Sequence, residues 1–267
     1  LYAHPDVEVL GITCTFANNN EHVVYYNTLQ MLEDLEITDV PVLKGGRTPG
    51  AYDSEAVDFL IDTVNKNPGE ITVIAIGSMC NIAGAYTKDP EFFEKIHRLI
   101  VMGGILEPLY LNGVLCNELN FTVDPESAAK VIHNCPKLSL LTAQCTQDAV
   151  YHLEDLEEML DMNSDFMRWS RPILKDWIAR KTKDYGNRQV FINWDLCTAI
   201  YLTNPEFFIT AKQRVVKHAK DMKTGWIQLD PDHVFADEEV NIVDIPDKII
   251  DLDAFNQKFY EMMAKMR

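Results

Sequence analysis

Short apolar runs alternate with amphipathic stretches along the first 145 residues of the chain. The runs are rich in branched residues, which is typical of strands in a well-covered sheet. The predicted strands are residues 7–15, 40–43, 71–76, 99–102 and 138–141. The predicted helices are residues 21–35, 54–67, a stretch after 81, and 125–133. Ser54 and Asp124 precede two of these helices as candidate N-caps, and Asp124 is followed by a proline at the first turn.

The second half of the chain is read in the same way. Residues 151–183 read as a polar-faced helical stretch, and residues 194–202 begin another helix. Residues 215–234 carry a turn signal and read as a hairpin, and residues 247–265 read as a closing amphipathic helix. The pattern predicts one α/β domain over residues 1–267, Rossmann-like, with a helical insertion at 151–183 and a C-terminal hairpin. Its mostly parallel central sheet should be covered by helices on both faces.

One segment fits neither the period of a helix nor the alternation of a strand. Residues 112–125 place Asn112, Glu118 and Asn120 at irregular spacing among apolar residues. Burial of such groups without partners costs roughly 1–3 kcal/mol each. A polyhydroxylated ligand such as a sugar would supply partners. The alternative is a loop whose side chains cap its own backbone.

Polar clusters follow several predicted strands at their carboxyl ends. They are residues 15–18, 77–81, 112–120 and 142–144. Ligands of open parallel sheets sit at that edge, so the coincidence favours a binding site there. The Gly45-Gly46 and Gly103-Gly104 pairs lack the spacing or the lysine of a phosphate-binding P-loop.

The composition of the chain excludes several classes of binding partner. The formal net charge of −17 argues against nucleic acid and anionic membranes as partners, and it suits neutral or cationic small molecules such as a nucleoside or a sugar. The six cysteines are dispersed and form no CxxC pair, which indicates reduced thiols in a cytoplasmic protein. No apolar run approaches the roughly 18–20 residues of a membrane span. The chain begins at Leu1 without a methionine or a signal peptide pattern, and we expect further residues upstream.

Several of these motifs together resemble the nucleoside hydrolase family, the calcium-dependent N-ribohydrolases. Residues 10–18 resemble the family's first-strand segment, and residues 76–83 its Gly-Pro-Leu-Thr-Asn-Ile-Ala motif. Residues 98–104 resemble its Ile-Val-Met-Gly-Gly strand. Residues 112–126 resemble its Gly-Asn-Val … Glu-Phe-Asn … Asp-Pro-Glu-Ala block. The resemblance runs over most of the chain and implies a nucleoside hydrolase-like fold.

The resemblance implies roles for four ribose-contacting residues. Asn112 would hold the ribose 5′-hydroxyl, and Glu118 would accept hydrogen bonds from ribose hydroxyls. Asn120 would donate to the 2′ or 3′ oxygen. Asn18 would contact the 3′-hydroxyl. Calcium is the implied cofactor, with the Asp195 carboxylate and a backbone carbonyl, that of Cys80, among its ligands.

Trp194 precedes Asp195, as in the purine-preferring members of the family. An indole can stack on a purine, and such stacking is worth roughly 1–3 kcal/mol per base. Stacking on a protonated ring resembles a cation–π contact and would favour protonation of the leaving purine. The alternative is a core aromatic at a helix start, with Asp195 as the N-terminal charge of that helix. The motif and the neighbouring blocks together favour the ligand-binding interpretation.

The sequence also departs from the family. The opening Asp-x-Asp-x-Gly-x-Asp-Asp motif is absent, and calcium needs six to eight oxygens, so either upstream residues supply them or the metal has been lost. Gln144 stands where the family often has Asp, and the short 48–53 loop predicts a reduced lid. Asp148, His22 and His233 are interpreted as surface or structural residues rather than a general base.

The predicted function is hydrolysis of the N-glycosidic bond of purine ribonucleosides to base and ribose. One alternative is a related protein that acts on, or only binds, another ribosyl or sugar compound. Another is a catalytically inactive scaffold. The resemblance also implies a homodimer or a homotetramer.

Overall fold

The computed structural model of the protein describes residues 1–111, 113–152, 164–181, 190–217 and 221–266. Within these ranges the helices are α1 (Glu21–Asp34), α2 (Glu55–Lys66), α3 (Cys80–Lys88), α4 (Phe92–Lys95), α5 (Leu119–Thr122), α6 (Pro125–Asn134), α7 (Ala143–Thr146), α8 (Asp165–Lys181), α9 (Leu196–Thr203) and α10 (Leu252–Lys265). The strands are β1 (Ile12–Thr13), β2 (Val42–Leu43), β3 (Thr72–Ala75), β4 (Arg98–Met102), β5 (Leu109–Leu111), β6 (Val114–Cys116), β7 (Leu138–Leu141), β8 (Val150–His152), β9 (Val190–Ile192), β10 (Phe208–Val216) and β11 (Val240–Ile249).

Five strands form the main sheet in the order β10-β11-β7-β4-β3. Strands β3, β4, β7 and β11 are parallel to their neighbours, and β10 pairs antiparallel with β11 at the edge. Strands β4 and β7 are apolar at nearly every position, as expected for a sheet buried on both faces. The predicted mostly parallel α/β sheet is confirmed.

Alternate residues of the sheet enter two separate cores. Leu99 and Val101 of β4 join the core that α2, α3 and α6 cover, whereas Ile100 joins the core beneath α8, α9 and α10. All three side chains are fully buried. Each contributes on the order of 1.5–3 kcal/mol of burial free energy relative to exposure. Helices therefore cover both faces, as the apolar runs predicted.

Strands β1 and β2 are shorter than the predicted runs and form a separate parallel pair. Side-chain hydrogen bonds join this pair to the loop after β3. Asn81 Nδ2 donates to the Cys14 carbonyl at 2.8 Å, and Asn81 Oδ1 accepts from the Gly46 amide at 2.9 Å. The hydroxyls of Thr15 and Ser78 lie 2.6 Å apart. Polar side chains thus align β1 and β2 with the carboxyl edge of the main sheet.

Two helix starts match the sequence prediction. Ser54 caps α2 by accepting from the Val57 amide, and Asp124 caps α6 by accepting from the Ser127 amide. Each cap satisfies one of the amides that a helix leaves unpaired at its start. Asp124 also accepts from the Ser127 hydroxyl at 2.6 Å, which fixes the entry into α6.

The carboxyl-terminal part differs from the prediction in its boundaries. A long antiparallel pair is present, but its second strand is β11 rather than a return within residues 215–234. Among its described residues, the predicted hairpin contains the Val215–Leu229 bridge and a hydrogen bond from the Val216 amide to the Gln228 carbonyl. The predicted 247–265 helix begins at Leu252, because residues 247–249 belong to β11 and Asp251 provides the N-cap.

The predicted helical insertion at 151–183 is only partly described. Helix α8 lies within it, but Tyr151 belongs to β8, which pairs with β9. Residues 153–163 and 182–183 lie outside the described residues. Within the described parts of the chain, no helix is both long and apolar enough to cross a membrane.

A buried ion pair fixes the excursion between β10 and β11. Arg214 Nε donates to Asp230 Oδ2 at 3.0 Å, and the amides of Val234 and Phe235 also donate to that carboxylate. Desolvation acts to raise the pKa of Asp230, but these hydrogen bonds outweigh it and lower the pKa below its ordinary value.

The lowered pKa of Asp230 predicts a defined acid sensitivity. A carboxylate with a depressed folded-state pKa stabilises the protein above its unfolded-state pKa, and that stability is lost as pH falls through the folded-state value. We expect Asp230→Asn to be less stable at neutral pH and to change less between about pH 6 and pH 3. Urea unfolding across this range measures the difference. Asp232→Asn, an exposed neighbour, should follow the parent protein; parallel curves for all three proteins would contradict the prediction.

Candidate active site

The carboxyl end of β4 packs tightly against α5. A Cβ on Gly103 would lie only 2.3 Å from the Phe121 ring, so this glycine allows the close approach. Phe121 is fully buried in the core beneath. The contact brings the segment around Glu118 to the edge of the sheet.

Glu118 is buried and accepts three backbone hydrogen bonds. Its Oε1 accepts from the Asn120 amide at 2.7 Å, and its Oε2 accepts from the amides of Gly104 and Phe121 at 2.9 and 3.0 Å. Glu118 is therefore the N-cap of α5 and also fixes the loop after β4. Burial raises the pKa of Glu118, and the three amides oppose that shift. These bonds agree with the alternative that the side chain caps the backbone of its own loop. A carboxylate has about four acceptor positions, so one position of Glu118 remains for a ligand.

Asn120 lies beside Glu118 and is also buried. Its Nδ2 donates to the Met102 carbonyl at 3.1 Å and lies 3.3 Å from Met102 Sδ. The amide nitrogen that was expected to donate to ribose is thus engaged with the end of β4. The side-chain oxygen Oδ1 is the atom of Asn120 better placed to meet a ligand, as an acceptor.

Trp194 packs on a small apolar cluster at the same edge. The cluster consists of buried Ile105, Leu109 and Ala143, and half-buried Trp194 and Trp226 both contact it. Trp194 is therefore packed against protein and still partly exposed to solvent. An aromatic surface of this kind can bind a flat ligand by stacking.

Asp195 precedes α9 and makes no side-chain capping bond. Asp195 is exposed to solvent. Desolvation, the larger cause, and the nearby charge of Glu118 raise the pKa of Asp195 to about 6. Two carboxyl groups thus face one region without a described basic partner.

Two of the predicted polar clusters are in direct contact, because the hydroxyls of Thr15 and Ser78 join residues 15–18 to residues 77–81. Gln144, in the last cluster, bonds the loop after β4: its Oε1 accepts from the Leu106 amide at 2.9 Å and its Nε2 donates to the Glu107 carbonyl. Gln144 thereby fixes the loop that leads into the β5–β6 hairpin.

Three further predicted site residues lie elsewhere or are only partly placed. Asn18 is exposed in the loop between β1 and α1. Cys80 is buried at the first position of α3, and its thiol donates to the carbonyls of Thr48 and Ala51. Asn112 lies outside the described residues.

The comparison with known sequences decides the family. Residues 1–257 match the family described as inosine-uridine preferring nucleoside hydrolase. The chain belongs to this family. Its members are N-glycosidases that typically use Ca²⁺. The chain is 26% identical over 257 residues to a rice protein (Oryza sativa subsp. japonica) named probable uridine nucleosidase 1, covering 85% of this chain and 78% of that protein.

Two solved structures of nucleoside hydrolases share the fold. The plant nucleoside hydrolase PpNRh1 superposes with a TM-score of 0.86 at 22% identity, covering 98% of this chain and 92% of that chain. The purine-preferring ribonucleoside hydrolase from Gardnerella vaginalis gives a TM-score of 0.85 at 20% identity, covering 99% and 92%. The nucleoside hydrolase-like α/β fold is thus confirmed.

The described residues can be tested as ligands for the calcium ion of the family. Calcium takes six to eight oxygens, whereas the Asp195 carboxylate and the Cys80 carbonyl supply three at most. Within the described ranges, no group of three or more His, Cys, Asp or Glu side chains is arranged to hold a metal ion. These residues by themselves do not fit calcium.

Two residues at this edge make contacts that the sequence did not predict. Asn81 fell within a predicted polar cluster, but its bridging of Cys14 and Gly46 depends on distant chain segments. Trp226 follows Gly225, which packs on Glu118, and the residue pairs with Ile105 through a β-bridge. Neither periodicity nor a family motif pointed to Trp226.

Proposed function

We propose that this protein hydrolyses the N-glycosidic bond of purine ribonucleosides and releases the free base and ribose. The observation that carries the proposal is the buried Glu118 carboxylate, which three backbone amides hold at the carboxyl end of β4. Its charge acts on Asp195, and Asp195 follows the partly exposed Trp194. Family membership supplies the reaction class. The purine preference rests on Trp194, since the named relatives include both uridine and purine enzymes.

The two carboxylates have a chemical role in this reaction. Cleavage of an N-glycosidic bond develops positive charge on the ribose ring. Negative groups that are already fixed in a partly desolvated cleft stabilise such charge without reorganisation. Glu118 is held by three amides, and Asp195, with a pKa of about 6, is largely ionised at neutral pH. Water then adds to C1′, and the base leaves with a proton.

The ribose would be held by the same edge. We propose that Glu118 and Asn120 use their remaining acceptor positions for ribose hydroxyls. Asn18 and Asn112 are proposed to complete the sugar contacts.

The direct test is product release from inosine, guanosine and uridine by the full-length protein, measured as base by chromatography and as ribose by a reducing-sugar assay. We expect purine nucleosides to be cleaved faster than uridine. Asp195→Asn should lower kcat by about 100-fold or more with little change in unfolding temperature, because its carboxylate makes no described hydrogen bond. Asp62→Asn, an exposed helical site, should behave like the parent. No release of base from any nucleoside would overturn the proposal.

Replacement of Trp194 tests the purine preference. Stacking on the leaving base is worth roughly 1–3 kcal/mol, so we expect Trp194→Ala to lower kcat/KM for inosine by about 10- to 100-fold and for uridine by less. Trp194→Phe should retain part of the preference. The ratio of the two substrates within each variant is the measurement, which cancels differences in folded fraction. An equal loss for both substrates would remove Trp194 from base recognition.

A second candidate function is binding of a ribosyl or sugar compound without cleavage. Two observations favour it: the described residues do not fit calcium, and Glu118 already spends three acceptor positions on the backbone. Calorimetric titration with inosine and with ribose separates the cases. Saturable binding without product release supports this function, and no binding at all leaves an inactive scaffold.

A further inference from the structure

A basic depression lies at the amino end of the main sheet, at the opposite edge from the candidate active site. Its volume is about 240 Å³. The charged and polar side chains that line it are His97, Arg98, Lys137, Ser139, Lys212 and Asp244.

Strand register explains why these side chains meet. Lys212, Asp244 and Ser139 form one row across β10, β11 and β7, since each lies opposite the next in the ladder. Ile100 of β4 lies opposite Ser139 and continues that row. Arg98 is two residues before Ile100 and therefore on the same face of the sheet. Its Nε donates to Ser139 Oγ at 2.9 Å. The depression is therefore a feature of the sheet rather than of a loop.

Neutral groups hold two of the cations in place. The guanidinium of Arg98 lies over the Tyr201 ring, 4.7 Å from its centroid, and bonds Ser139. The ammonium of Lys137 donates to the carbonyls of Glu94 and Ile96 at 2.6 and 2.8 Å. These contacts fix the side chains without cancelling their charge. The ion pairs among the described residues include neither Arg98 nor Lys137, although the chain has 41 acidic and 24 basic residues.

The charge balance of the depression favours an anion. Arg98, Lys137 and Lys212 carry three positive charges, and Asp244 offsets one, which leaves +2 before any contribution from His97. Preorganised N–H donors on cations form the strongest hydrogen bonds to phosphate oxygens. We propose that this depression is a binding site for a phosphate group, either free phosphate or a small phosphomonoester. Phosphate binding in this depression does not depend on the proposed hydrolase activity.

Calorimetric titration of the full-length protein with inorganic phosphate, at an ionic strength held constant with chloride, tests the site. A parallel titration with glycerol phosphate distinguishes free phosphate from a monoester as the preferred ligand. We expect saturable binding that weakens by at least about tenfold in Lys212→Ala and further in Lys212→Glu. Lys212 is an exposed strand residue whose ammonium makes no described bond, so both variants should fold.

Lys248→Ala is the matched control, because it removes the same charge from the neighbouring strand β11 outside the depression. Its affinity for phosphate should stay within about twofold of the parent. The proposal is overturned by binding that does not saturate, or by equal affinity in Lys212→Glu and Lys248→Ala. Arg98→Gln is a second test of the site. Loss of the Arg98 guanidinium should weaken phosphate binding more than Lys212→Ala does.

Discussion

Replacement of Glu118 by alanine is expected to abolish nucleoside cleavage and to destabilise the fold at the same time. The variant loses the carboxylate that accepts from Gly104, Asn120 and Phe121. Each buried amide left without an acceptor costs roughly 1–3 kcal/mol, so we expect a loss of about 3 kcal/mol or more in the free energy of unfolding. Urea unfolding and nucleoside cleavage by the remaining folded protein measure the two effects.

The control is Glu118→Gln, which keeps the shape and one acceptor oxygen. Its amide nitrogen must face at least one backbone N–H, so a smaller loss of about 1–2 kcal/mol is expected. Cleavage should still fall by about 100-fold, because the negative charge is gone. If the glutamine variant cleaves nucleosides like the parent, Glu118 is a capping residue only.

Gly45→Ala is expected to be the most destabilising single methyl addition at this edge. Its Cβ would lie 1.9 Å from the Cys14 carbonyl oxygen and 2.5 Å from both polar atoms of the Asn81 side chain. The methyl group therefore separates Asn81 from Cys14, in addition to the roughly 1–3 kcal/mol of overpacking. We expect a loss of about 3 kcal/mol or more in the free energy of unfolding, measured by urea denaturation.

Gly69→Ala is the matched comparison. Gly69 has a φ of +81° and open space around the added Cβ, so only backbone strain of roughly 1–2 kcal/mol applies. Equal losses in the two variants would show that the close contact at Gly45 relaxes at little cost.

Sequence patterns predicted the parts of the fold that depend on local order. The runs in β4 and β7 and the caps Ser54 and Asp124 all lie where the patterns placed them. The partner of β10 could not be read locally, because Val215 is followed by more than twenty residues before β11 begins at Val240. Pairing over that separation depends on the sheet that is already present.

The candidate site shows the same division. Glu118 was singled out by its irregular spacing among apolar residues, and the resemblance to the family gave roles to Glu118 and Asp195. The amides that hold Glu118 come from Gly104 and α5, and no spacing rule shows that β4 ends beside that helix. Trp226 reaches the Trp194 cluster through a bridge to Ile105. Such contacts exist only once distant segments have packed.

The separate β1–β2 pair has a consequence for motion along the binding edge. The amides of Ile12 and Cys14 bond only to the neighbouring loop and strand, at Pro41 and Leu43. Regions with few ladder bonds open locally at a lower free energy than the core strands. Hydrogen exchange at Ile12 and Cys14 should therefore be faster than in β4. The backbone near Asn18 would then open locally more often than the backbone near Glu118, at the same edge of the sheet.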